Sequence, residues 1–110
     1  MRLLIDTRGV EFTVGRSFEA KRDPEGRQRK ERRGEERLLW VVQLVAFSGD
    51  GVETLNVTVA SNVEPPAVTQ KQSVTPVGLE AVPWAKDNKA QVAYRAESIQ
   101  VLTASKSSAA

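Results

Sequence analysis

The chain is 110 residues and 12.1 kDa, with 16 Lys and Arg against 14 Asp and Glu, no His and no Cys, which is the size of one ordinary domain. The missing cysteines exclude disulfides, thiolate metal sites and thiol nucleophiles, and the missing histidines remove the usual general base near neutral pH; the expectation is a protein that is not an enzyme and carries no cofactor or metal. Apolar runs fall well short of the roughly 20 residues of a membrane span, and Met1–Arg2 precedes too short an apolar stretch for a signal-peptide core, so a soluble, cytoplasmic protein is expected.

Along the chain, Leu3, Ile5, Val10, Phe12 and Val14 alternate over Arg2 to Gly15 and predict a first strand, with a bulge or bend at Arg8-Gly9. Arg16 to Arg37 then holds the whole basic excess: its net charge is +3, against 0 for residues 1–15 and −1 for residues 38–110. With Pro24, Gly26 and Gly34 and few large apolar residues, this stretch reads as a long, mobile, solvated loop. Arg27, Arg29, Lys30, Arg32 and Arg33 concentrate cations there as a phosphate backbone requires, while Glu25, Glu31, Glu35 and Glu36 dilute them.

Leu38 to Phe47 is nearly all apolar and predicts a second strand, covered on both faces. Ser48-Gly49-Asp50-Gly51 is a turn, and Val52 to Ala60 a third strand with Leu55, Val57 and Val59 inward, so the two form a hairpin. Pro65-Pro66 leaves room for a short helix at most between Ser61 and Gln70. A fourth strand, Ser73 to Trp84, is interrupted by Pro76 and Gly78. Lys86 to Lys89 is a polar turn, and Ala90 to Leu102 a fifth strand. The domain is expected to span residues 1–104, with a disordered tail at 105–110.

Five strands with a long first connection, tight second-to-third and fourth-to-fifth hairpins and little or no helix match the element order of an all-β, five-stranded OB-fold-like barrel. Closure would remove exposed edges and fill the interior with aliphatic side chains. A small open sandwich or an SH3-like barrel fits the strand count almost as well.

The run Ser-Val-Thr-Pro-Val-Gly-Leu-Glu-Ala-Val-Pro-Trp (73–84), a short turn, and Gln-Val-Ala-Tyr-Arg-Ala-Glu-Ser-Ile-Gln-Val-Leu (91–102) resembles the second half of the bacterial single-stranded DNA-binding protein (SSB) OB domain. The opening Met-Arg-Leu-Leu-Ile-Asp-Thr-Arg-Gly-Val-Glu-Phe is similar to small regulatory or accessory proteins of actinobacterial plasmids and integrative conjugative elements. Together these resemblances imply a single-stranded DNA-binding accessory protein of a mobile element. The tail, Ser-Lys-Ser-Ser-Ala-Ala, departs from the acidic, Phe-terminated tip of SSBs.

Oligonucleotide binding by an OB barrel uses the first and last loops and the face of strands two and three. The candidate nucleic-acid-binding residues are therefore the cations Arg16, Lys21, Arg22, Arg27, Arg29, Lys30, Arg32, Arg33 and Arg37, with Lys86, Lys89 and Arg95, and the flat side chains Trp40, Trp84 and Tyr94. Core packing is the competing role for Trp40 and Tyr94, and a plug at the barrel end for Trp84. Asp6, Asp50 and Asp87 have no metal-ligand spacing. The expected partner is single-stranded DNA or another nucleic acid; the alternative is a protein of a replication, transfer or transcription complex. The apolar second strand predicts a homo-oligomer, a dimer or tetramer.

Overall fold

Alternating apolar residues form strands on both sides of the charged segment in the computed structural model, which describes residues 2–31 and 34–102. Arg32, Arg33 and the expected tail at 105–110 lie outside the described residues, as does the side chain of Lys86. The elements are β1 (Leu3–Leu4), β2 (Glu11–Ala20), β3 (Leu39–Ser48), β4 (Gly51–Ala60), β5 (Ser73–Val77), β6 (Glu80–Lys86), β7 (Lys89–Ala96) and β8 (Ser98–Val101). They make one curled sheet in the order β1-β6-β7-β4-β3-β2-β5-β8. The described pairings are antiparallel except β4 with β7, which is parallel.

The all-β class therefore holds, but there are eight strands rather than five, because three of the expected strands are each broken in two. The first breaks at a turn in which Val10 N–H donates to the Thr7 carbonyl at 3.1 Å and Gly9 takes φ +77°. Asp6 braces this turn by accepting from the Arg8 amide and guanidinium at 3.0 Å. The fourth and fifth break side by side. Gly78, at φ +64°, separates β5 from β6, and Glu97, whose N–H donates to the Val77 carbonyl at 2.8 Å, separates β7 from β8. A Cβ on Gly78 would lie 2.5 Å from a Glu97 carboxylate oxygen. Glycine thus meets the backbone requirement of this shared kink, and any side chain there would have to displace that of Glu97.

The two tight hairpins are as expected. Ser48 pairs with Gly51 across Gly49-Asp50, and Lys86 with Lys89 across Asp87-Asn88, whose φ values of 54° and 66° suit a turn matching the strand twist. The segment 61–70 contains no helix.

The inner face of the curled sheet carries the core: Phe12 and Val14 from β2, Val42 and Leu44 from β3, Leu55, Val57 and Val59 from β4, then Val68, Val74, Leu79 and Ala96. Burial of such aliphatic side chains stabilises the fold by about 1.5–3 kcal/mol each. The expectation that Leu38 to Phe47 is covered on both faces is corrected here. Val42 and Leu44 are fully buried, whereas Val41, Gln43 and Val45 on the other face are half-buried and Phe47 is exposed. A curled sheet encloses one of its faces, and the other meets solvent.

The expected boundary at Gly15 is also corrected: β2 continues to Ala20, with register shifts after Val14 and Arg16. Beyond it the charged stretch doubles back on itself as an arm. Asp23 N–H donates to Arg27, Arg29 to Lys21, Glu31 to Arg37 and Leu39 to Arg29, all to backbone carbonyls at 2.7–2.9 Å. Bridges between Arg22 and Gln28 and between Lys30 and Leu38 complete the ladder. Backbone pairing offsets part of the ordering entropy that this polar sequence cannot recover by burial.

Candidate functional site

Residues directly opposite each other in paired strands share a sheet face. Val41 lies opposite Thr58, Thr58 opposite Arg95, and Arg95 opposite Glu80. Val57 and Tyr94, one position away, belong to the core side. The outer face is therefore continuous from β3 through β4 and β7 to β6, and further along the β6–β7 ribbon it carries Val82, Ala93, Trp84 and Gln91. At roughly 3.3 Å per residue, Trp84 stands about 13 Å along the strand from Glu80.

The arm is anchored to this face at two points. Lys21 Nζ donates to Thr58 Oγ1 at 3.0 Å, and Arg95 Nη2 donates to Glu31 Oε1 at 2.7 Å. Glu31 also accepts at Oε2 from the Arg37 side chain at 2.9 Å and from the Arg37 amide at 3.0 Å. The Glu31 side chain is 10% exposed. Chiefly the Arg37 guanidinium, helped by the Arg37 amide and the Arg95 guanidinium, holds its carboxyl at about 2 against the opposing effect of burial. Lys21 is shifted the other way: burial, then the charges of Arg29 and Arg95, lower its pKa below the usual lysine value.

Beside these contacts lies an open cavity of about 620 Å³ lined by Arg2, Arg29, Lys30, Arg37 and Arg95, with Glu31, Gly34 and Leu39. A second cavity of about 530 Å³ adjoins it and shares Arg2, Arg37 and Arg95. Arg2 reaches Glu80 at 3.7 Å. Positive charge gathered in a concavity focuses the field and attracts anions more strongly than the same charges spread over a convex surface.

The cavities bring together Arg29, Lys30, Arg37 and Arg95 from the sequence-derived candidates, with Lys21 beside them. Arg16 is exposed opposite Gln43 on the same outer face. Arg22 donates to the Gly26 carbonyl at 2.8 Å within the arm's own turn, and Arg27 is exposed beyond it. Trp84 is 47% exposed near the far end of the ribbon, and Lys89 is exposed at the turn. Trp40 belongs to the core-side face, opposite Val59, and its indole N–H donates to the Ser61 carbonyl at 2.9 Å. Tyr94 packs against the core.

Arg2, Thr58 and Glu80 join the site without having been among the sequence-derived candidates. The sequence signal for Arg2 is its position one residue before the first apolar alternation, which predicts a strand but not the strand's neighbour. Among the described residues no group of three or more acidic side chains gathers as a metal site would, and no helix is long and apolar enough to cross a membrane. No family model, curated protein or solved structure matches the chain.

Proposed function

We propose that the chain is an OB-type barrel that holds single-stranded DNA without catalysis along the outer face between the arm and the β6–β7 ribbon. The pairing order supports the barrel. When β1 is joined to β2, β5 to β6 and β7 to β8 through their bends, the five resulting strands pair as 1-2-3-5-4, and 4 returns to 1 through β6–β1 and β5–β2. That ring is the OB order, and β3 and β4 are then the two strands whose face engages oligonucleotides in such barrels.

The observation that carries the reading is the placement of the cationic cavity and an exposed Trp84 on one continuous face. Cations neutralise phosphates, and a flat side chain at a distance along the same face stacks an unpaired base, worth about 1–3 kcal/mol per base. The test is fluorescence anisotropy of a labelled oligo(dT) at two salt concentrations. Binding that weakens steeply with salt and with removal of residues 19–36 is the expected result; absence of binding at low salt sinks the reading. The plasmid or conjugative-element setting rests on the resemblance of the opening residues.

A second reading, a module that binds protein, is favoured by the apolar side chains left on the surface. Pro83, Ala85, Ala90 and Val92 are exposed on the ribbon, and Phe47 and Val52 are exposed as a cross-strand pair at the β3–β4 end. A second copy of the chain covering these residues would give the expected homo-oligomer. Light scattering on a size-exclusion column separates this from a 12.1 kDa monomer, and a pull-down after nuclease treatment separates a protein partner from a nucleic acid.

A further inference from the structure

We infer that Arg37 and Arg95 form a phosphate clamp in the binding groove, and that the Glu31 carboxylate occupies it in the free protein as an internal stand-in for a phosphodiester. This inference rests on the single-stranded DNA reading and deepens it by assigning one subsite and its control.

The geometry is that of an anion site already filled. A carboxylate presents two oxygens on one centre, as a phosphodiester presents its two non-bridging oxygens. Arg95 takes one of the Glu31 oxygens at 2.7 Å, and Arg37 takes the other at 2.9 Å and reaches toward the first at 3.3 Å. Two guanidiniums on one anion are more than its charge requires, and Arg2, Arg29 and Lys30 line the same cavity. The site therefore stays cationic with Glu31 in it and still draws a polyanion. Guanidinium forks suit phosphate as well as carboxylate, so a strand entering the groove offers both arginines an equivalent partner.

The occupant is also placed to leave. Glu31 and Arg37 sit at the base of the arm's tip, where Gly34 takes φ +77° and Glu36 is held at φ +53°, a backbone state that an L side chain resists. Release of Glu31 from Arg37 lets Glu36 leave that state and frees the carboxylate to water. The glutamate that dilutes the basic stretch in the sequence thus becomes a device that makes binding conditional on displacing it, an intramolecular competitor whose removal raises apparent affinity.

Two measurements on the full chain test this. The first compares the wild-type protein with Glu31→Gln, which keeps the shape and removes the charge, by anisotropy of labelled oligo(dT) across a salt series, with a thermal melt as the check of folding. Glu31→Gln is expected to bind about tenfold tighter, with a salt slope nearly unchanged because the same phosphate is engaged in both proteins. The second follows amide hydrogen exchange of the wild-type protein with and without the oligonucleotide. The Arg37 amide donates to Glu31 Oε2, so it is expected to exchange faster when DNA is bound. If Glu31→Gln binds equally or more weakly while the wild type binds, the clamp is overturned and the DNA-binding reading stands. If neither protein binds at low salt, both fail. If Glu31→Gln does not fold, the exchange result decides: a slower or unchanged Arg37 amide overturns the inference.

Discussion

The Arg95 guanidinium donates to the Glu31 carboxylate at 2.7 Å although the two residues are 64 positions apart in the chain. One belongs to a strand of the curled sheet and the other to an arm that sequence composition alone marks as loop. Their ion pair, with the Lys21 hydrogen bond to Thr58, sets where the arm's cations lie relative to the outer face.

Replacement of Arg95 by Ala should therefore act on binding and on the arm together. Oligo(dT) affinity is expected to fall about fivefold, with the salt slope shallower by about 0.7 because one phosphate is no longer neutralised. Amide exchange in residues 29–39 is expected to quicken because Glu31 keeps only one of its two guanidiniums. Anisotropy and exchange measured on the same preparation check both halves.

The two tryptophans should separate cleanly. Trp84→Ala is expected to weaken oligonucleotide binding by about 1–3 kcal/mol and to leave the melting temperature nearly unchanged, since the side chain is half exposed on a ribbon outside the core. Trp40→Phe removes the indole N–H donated to the Ser61 carbonyl; it should cost about 0.5–1.5 kcal/mol of stability and leave binding intact. Denaturant titration and anisotropy on each variant give the comparison.

Core and outer face predict opposite sensitivities along the same β3–β4 hairpin. Leu44 is fully buried, and Leu44→Ala is expected to destabilise by about 2–5 kcal/mol through the forfeited transfer energy and the cavity left behind. Val52, at the exposed end of the hairpin, should tolerate Asp to within about 0.5 kcal/mol in an isolated chain. A larger destabilisation at Val52 that depends on protein concentration would reveal a second copy covering that end.

Acid should loosen the arm before the rest of the sheet. Glu31 has a folded-state pKa of about 2 against an ordinary value of 4.5. Because the folded value is the lower one, its contribution to stability is fully present above about pH 4.5 and is lost as pH falls toward 2. The Arg37 amide resonance, whose proton is donated to Glu31, is expected to shift only as pH approaches the folded value of about 2, and Glu31→Gln should abolish the shift. NMR titration from pH 6 to pH 2 is the measurement.

The bends mark the limit of what local sequence conveys. Arg8-Gly9 and Gly78 signal breaks, but a glycine or a turn pair does not say whether a strand is merely bulged or changes partner. Here each break redirects the chain to a different neighbour: β2 pairs β3 and β5, whereas β1 pairs β6. Glu97 carries no local signal at all; it breaks its strand because it lies beside the Gly78 kink.

Alternation of Leu55, Val57 and Val59, the Gly49-Asp50 and Asp87-Asn88 turns and the gathering of basic charge between Arg16 and Arg37 were determined by sequence alone, because period-two burial, turn propensity and charge density are local properties. Tertiary structure decided that Trp84 and Arg95 share a face, that Arg2 joins Arg37 and Arg95 around one cavity, and that Glu31 sits between two guanidiniums. Those relations depend on strand register and on the parallel β4–β7 pairing. The meeting of distant segments follows from how hydrophobic faces close on one another, which no short window of residues encodes.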